Sequence, residues 1–359
     1  MAGNAGAKQR FMDQFVLGDP QEEANYSRAT LRRNAESPAA PAYLGSPREG
    51  RGELEVEPHY SNAHELDEII TRFKADHAPW VGMACERTYV GKIRCNAADA
   101  AAVGQVATDD SQLILFNVGL GIACHFWAVC FLRYVAEFDD LYGTSRQAEH
   151  DAFIDGVIDV FLGWSKGHQE IYLREAEGFF EQFSVVFDDA SAIYACASDR
   201  FIVGHEFAHH LAGDTRGVTK PHRDVQRLID SSKRLLNGRG SRELAADMIG
   251  FMLTLGTFDA AAVEYDRLIA SGIGAGVTLG AISALSPEPY HDGSEHYPSS
   301  AERMESMLVM IAAHAMREIA GPEPWRYREL NRMKKDLMNF NHAILGRRKA
   351  RGLIRGRKS

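Results

Sequence analysis

The stretch FIVGHEFAHHLAGD, Phe201 to Asp214, sets the tightest limit on what this chain can fold into. Its apolar positions read as a buried helix, yet it carries two histidines four apart with a glutamate directly after the first. Burying unpaired ionisable groups among Phe, Ile, Val and Leu costs on the order of several kcal/mol each. The chain must therefore bring compensating groups, or a cation, to this helix. A four-residue helical step turns about 400°, so His205 and His209 leave nearly the same face one turn apart. Two imidazoles so placed reach one ion. Glu206 lies beside the first of them, toward the open side of such an ion, where a carboxylate can take a proton from water.

A catalytic zinc site takes three protein donors and keeps one position open, so the histidine pair requires a third ligand. A pattern with glycine and a further histidine three and six residues beyond His209 is excluded, because those positions hold Ala212 and Thr215. Asp214, just past the helix, is one remaining candidate. Glu243 is the other. It stands in SRELAADMIGF, Ser241 to Phe251, where Ser241 suits an N-cap and Leu244, Met248, Phe251, Met252 and Leu255 follow a helical stripe. Glu243 and Asp247 share the opposite side, one turn apart. Glu243 would bind the ion, while Asp247 would accept the second ring N–H of His205 and fix its tautomer. The roughly 30 residues from Ala212 to Gly240 are enough to lay the second helix beside the first.

Composition excludes some classes of function. At 359 residues with a formal charge of -9, the chain is too acidic for a general nucleic-acid binder, which needs a basic face. The five cysteines, Cys85, Cys95, Cys124, Cys130 and Cys196, contain no C-x-x-C pair and mostly sit in apolar runs. They suggest free thiols in a reducing compartment. The opening MAGNAGAKQRFMDQF lacks the apolar core of a secretory signal, so cytoplasmic residence is expected. The run from Leu113 to Val135 approaches the length of a membrane span, but Asn117, His125 and two glycines interrupt it. A buried strand entering a helix is expected there, with no membrane association.

Residues 1–60, rich in Ala, Pro, Gly and charge, are expected to form a flexible, disordered arm. Residues 61–345 read as one α+β domain, mainly helical, with a small sheet near its start. Asn62 and Glu65 stand at capping-box spacing before a first amphipathic helix. Strands are expected over Arg87–Cys95 and Ser111–Asn117. Further helices are expected over 118–138, 147–162, 190–211, 225–236, 242–255, 260–270, 299–319 and 325–345. SGIGAGVTLGAIS, Ser271 to Ser283, reads as small-residue helix packing and not as a phosphate loop. His125 reads as a hydrogen-bonded core residue, and His210 and His222 as bystanders. Residues 346–359 hold seven lysines or arginines without a packing pattern. They read as a solvated basic tail able to contact an acidic partner.

HEFAH and ELAAD, as they stand, resemble the gluzincin zinc metallopeptidases, in which an H-E-x-x-H helix is followed by a helix bearing a glutamate ligand and a supporting aspartate. The E-x-x-A-D form and the later EHYPSSAERMESM look most like the CAAX-processing and heat-shock membrane endopeptidases. There a histidine–proline element precedes an arginine, whereas here Tyr297 separates His296 from Pro298. Soluble Lit-like or ImmA/IrrE-like peptidases are the better match. The resemblance implies a zincin-like domain and one catalytic Zn2+ held by His205, His209 and Glu243. It further implies a protein or peptide substrate and hydrolysis with Glu206 as general base. His296 and Arg303 would stabilise the oxyanion, with Tyr290, His291 and Tyr297 next in line. The plainer reading of this segment is a capped core helix, with Pro298 and Ser299 at its start and a solvated Arg303. For the whole chain the alternatives are a zinc-stabilised scaffold with Glu206 idle, or a zinc hydrolase of a non-protein amide.

Overall fold

The computed structural model describes residues 5–15, 63–93, 99–103, 110–138, 146–165, 179, 182, 189–215, 220–235, 242–258, 263–286, 298–318 and 324–354. Its elements run α1 (Ala5–Phe15), α2 (Ala63–Asp76), α3 (Pro79–Arg87), β1 (Thr88–Ile93), β2 (Ala100–Val103), β3 (Gln112–Asn117) and α4 (Val118–Phe138). They continue as α5 (Gln147–Ser165), α6 (Asp189–Ala212), α7 (Arg223–Leu235), α8 (Arg242–Leu255), α9 (Tyr265–Leu285), α10 (Ser300–Glu318) and α11 (Pro324–Ala350). The fold is mainly helical with a small three-stranded sheet, as expected. Asn62, Cys95 and Ser241 lie outside the described residues, so the two caps proposed there are not described.

In the sheet the order is β1-β3-β2, with β1 parallel and β2 antiparallel to β3. The central strand QLILFN is buried on both faces except at its end, which explains its near-continuous apolar run. β2, with the sequence AAAV, was not expected, because alanine is depleted in strands. It is an edge strand and takes its place by pairing Ala100 with Phe116 and Val103 with Leu113.

Both ends of the chain depart from expectation. Residues 5–15, expected to be part of a flexible arm, form α1, which lies on the sheet. Ala7 and Phe11 are buried there, Phe11 packs 5.5 Å from Tyr89, and Arg10 Nη2 donates to Ser111 O at 2.8 Å. Gly91 makes this possible, since a Cβ in its place would overlap the Phe11 ring. At the other end α11 runs on to Ala350, into the expected basic tail. Arg347 and Arg351 both pair with Asp155 on α5, and Ile354 is buried against Leu345. Residues 16–62 of the arm and 355–359 of the tail lie outside the described residues.

α6 occupies the centre, packed against α4, α8 and α9. The glycine-bearing segment is not a separate stretch after a short helix but the body of α9, a single 21-residue helix. Its glycines let neighbours approach: a Cβ at Gly274 would meet Ala197 O, and one at Gly280 would meet the Trp127 ring. Gly119–Phe138 and Tyr265–Leu285 are long and apolar enough to cross a membrane, and 61% and 78% of their most apolar windows are buried inside the protein. Among the described residues Cys85, Cys124, Cys130 and Cys196 form no disulfide.

Candidate metal centre

α6 delivers both histidines from one face, as the four-residue spacing requires. α8 runs beside it, and the two backbones touch where Gly204 faces Gly250. This close crossing brings Glu243, in the first turn of α8, over His205 and His209.

Two ring nitrogens and one carboxylate converge there. His205 Nε2 and His209 Nε2 are 3.3 Å apart, Glu243 Oε2 is 3.4 Å from the first, and Glu243 Oε1 is 3.6 Å from the second. Four ligands placed tetrahedrally on zinc at about 2.0–2.1 Å stand ~3.3–3.4 Å from one another. Each of the three side chains can offer one ligand atom, all within 4.8 Å of one another, and the histidine pair stands at the length of an edge of such a tetrahedron. They form the His-His-carboxylate group that can hold one ion.

The outer ring nitrogens are also engaged. His205 Nδ1 lies 2.8 Å from Asp247 Oδ1, although its N–H does not point squarely at that oxygen. His209 Nδ1 lies 2.9 Å from Asp214 Oδ2. A carboxylate on Nδ1 favours the tautomer that leaves Nε2 bare as a ligand. Asp214 is thus not the third ligand but the partner of His209, on the ring's far side. Gly213, with φ of 81°, turns the chain back just after the helix and presents Asp214 to the ring.

Arg303 reaches this group from α10. Its Nε and Nη2 donate to Asp247 Oδ2 and Oδ1 at 2.8 and 2.7 Å, and its Nη1 is 3.4 Å from Glu243 Oε2. The solvated alternative for this side chain is therefore incorrect, and its fork is spent on carboxylates. The helix start of the plainer reading does form: Ser299 N donates to Glu302 Oε2 and Glu302 N to Ser299 Oγ, a reciprocal capping box. His296, Tyr290, His291 and Tyr297 lie outside the described residues.

Charge is concentrated here. Glu206, Glu243 and Asp247 all act on one buried guanidinium, Arg303, while Asp214 pairs with Arg242 at 3.5 Å; the excess of carboxylate around Arg303 favours a dication. Burial alone would raise the Glu243 carboxyl, but His205 and Arg303 hold it down at about 2. Asp247, fully buried, is likewise driven far below the usual carboxylate range by Arg303 and His205. Burial would lower His205, yet Asp247, Glu243 and Glu206 overcome it and push the imidazole up to about 10. Glu206 is buried close enough for its charge to act on both His205 and Arg303.

His210, His125 and His222 have structural partners. His210, fully buried, bonds Thr215 Oγ1 through Nδ1 at 2.7 Å and Leu113 O through Nε2 at 3.2 Å, tying α6 to β3. His125 Nε2 meets Ser191 Oγ at 3.3 Å, and His222 stacks on Trp80 at 4.2 Å. The supporting roles of Asp214 and Arg303 were missed in the sequence. The Gly-Asp step ending the helix was a usable signal for the first; nothing local marked the second. No protein-family model, curated protein or solved structure matches the chain, so the reading of this centre rests on its own residues.

Proposed function

We propose that this chain is a zinc-dependent endopeptidase of the gluzincin kind, with a zincin-like domain, acting in the cytoplasm on a protein or peptide substrate. The observation that carries the reading is the convergence of His205, His209 and Glu243: the two ring nitrogens stand 3.3 Å apart, the edge length of tetrahedral zinc, and the carboxylate meets them through its two oxygens at 3.4 and 3.6 Å. These residues would hold one ion. When bound, zinc supplies a Lewis acid and lowers the pKa of water toward neutrality.

The protein's own groups do the rest. Glu206, one residue past the first ligand, takes the proton of the attacking water and returns it to the leaving nitrogen. Asp247 and Asp214 keep both imidazoles turned with Nε2 inward. Arg303 holds Asp247 and Glu243 in place and acts as a positioning residue, which leaves His296 as the candidate donor to the oxyanion.

Glu206→Gln tests the reading. The variant is expected to keep its zinc, by metal analysis, and to lose the new peptide termini that wild-type protein generates in cell lysate. Identical termini with both proteins, or none with either, would remove the endopeptidase and favour a zinc-stabilised scaffold or a hydrolase of a non-protein amide.

A further inference from the structure

A cavity of about 350 Å3 lies between α2, α6, α8 and α9, away from the metal centre. Arg200, its contribution from α6, stands five residues before His205, so the two leave the helix about 140° apart. Leu253 and Thr254, its contribution from α8, lie about 15 Å along the axis from Glu243. The cavity and the metal centre are thus different places on the same two helices.

Its lining has an unusual charge pattern. Arg72, Arg200 and Arg267 contribute three guanidinium groups, against Asp76 as the single carboxylate. Asp76 is taken by Arg267, with Nη1 on Oδ2 at 2.9 Å and Nη2 on Oδ1 at 3.4 Å. Arg72 spends only its Nε, on Glu68 at 3.3 Å. Arg200 makes no hydrogen bond or ion pair among the described residues. Burial and the neighbouring Arg72 lower its pKa from 12.5, and the nearby Cys196 and Glu68 oppose this only in part.

A guanidinium does not lose its proton in a protein, so Arg200 stays charged while half-buried. Holding a half-buried cation with no anion bonded to it carries a cost. Such a cost is commonly retained where a ligand repays it. The other walls, Ile69, Phe73 and Leu253, are apolar and suit a hydrocarbon or ring body.

We propose that this cavity binds a small organic anion, with its carboxylate or phosphate head on Arg200 and Arg72 and its apolar body against Ile69, Phe73 and Leu253. Arginine forks match both heads in two-pronged geometry. The proposal does not depend on the hydrolase reading, because its test measures binding and not activity.

Calorimetric titration of the full chain with phenyl phosphate, benzoate and inorganic phosphate tests it. Phenyl phosphate or benzoate is expected to bind, whichever head is preferred, and Arg200→Gln to weaken that binding about tenfold or more. Inorganic phosphate, lacking the apolar body, is expected to bind more weakly than phenyl phosphate. In the absence of ligand, Arg200→Met is expected to melt no lower than wild type, since it removes a half-buried charge that no carboxylate is bonded to. Failure of both aromatic anions to bind, equal binding by Arg200→Gln, or a melting temperature several degrees lower for Arg200→Met would each overturn the proposal.

Discussion

Gly204 and Gly250 meet backbone to backbone at the crossing of α6 and α8. A Cβ on Gly250 would fall 2.7 Å from His205 N and 2.9 Å from the carbonyl carbon of Gly204, closer than real contacts allow. The same crossing fixes how far Glu243 stands from the two imidazoles. Gly250→Ala should therefore cost about 1–3 kcal/mol in overpacking, even after the ~1 kcal/mol gained in helix propensity. It should also weaken zinc binding by spreading the donor triangle. Gly346→Ala, on α11 where a Cβ would touch nothing within 4 Å, should gain up to about 1 kcal/mol. Urea denaturation and zinc titration of both variants decide the matter. Wild-type stability and affinity for Gly250→Ala would show that another contact sets the geometry.

Arg303 should matter more for stability than any surface cation. Asp247 is fully buried, and both of its oxygens take N–H groups from this one guanidinium. Arg303→Met would leave that carboxylate with His205 alone and without its larger counter-charge, at about 3–5 kcal/mol. Arg303→Lys returns the charge but not the two-pronged fork, so it should recover only part of the loss. Denaturation midpoints of the two variants, with and without Asp247→Asn, measure the coupling. Full recovery by lysine would mean that charge alone suffices.

What the sequence disclosed and what it concealed follow from distance along the chain. His205, Glu206 and His209 are readable because helical spacing alone puts them on a shared side. Glu243 and Asp247 were readable because a helix of similar apolar character bears two carboxylates one turn apart. Arg303 contacts Asp247 across 56 residues, a relation no local period encodes. α1 was concealed differently. Its buried anchors among the described side chains, Ala7 and Phe11, have few apolar neighbours in sequence, and Phe11 gains its place from Gly91 on a distant strand. The C-terminal arginines had an overlooked signal: Asp151, Asp155 and Asp159 recur every four residues on α5, forming an acidic stripe that Arg347 and Arg351 meet.

Acid sensitivity should begin with His210. Burial lowers its imidazole to about 4, against an ordinary value of 6.5. The folded chain thus keeps it neutral over a range in which the unfolded chain protonates it. Its contribution is complete above pH 6.5 and is lost as pH falls from 6.5 toward 4, an effect of ~3 kcal/mol. Glu243 adds a separate loss only below 4.5, as pH falls toward about 2. In chelator-treated protein His205 acts in the opposite direction. With its folded value at about 10, its contribution is complete below 6.5 and fades as pH rises through 10. Guanidinium denaturation at intervals from pH 4.5 to 7.5 should give a positive slope that His210→Gln flattens. An unchanged slope in that variant would assign the effect to other groups.

The last prediction separates the two kinds of arginine in the basic C-terminal stretch. Arg348 is 1% exposed and donates to three carbonyls at the end of α9: Ser283 O at 3.1 Å, Ala284 O at 3.0 Å and Ser286 O at 2.7 Å. Carbonyls at a helix C-terminus have no partners within their own helix, and a cation there also opposes the helix dipole. Arg348→Met removes all three bonds and leaves buried acceptors unpaired, for a loss of about 2–4 kcal/mol. Arg351 instead pairs with Asp159 on a face open to water, so Arg351→Met should cost under about 1 kcal/mol and less in high salt. Truncation after Gly346 should lower the melting temperature at least as much as Arg348→Met alone. Were truncation harmless, the docking of α11 beyond Gly346 would contribute nothing to stability, and the expectation of a solvated basic tail would stand after all.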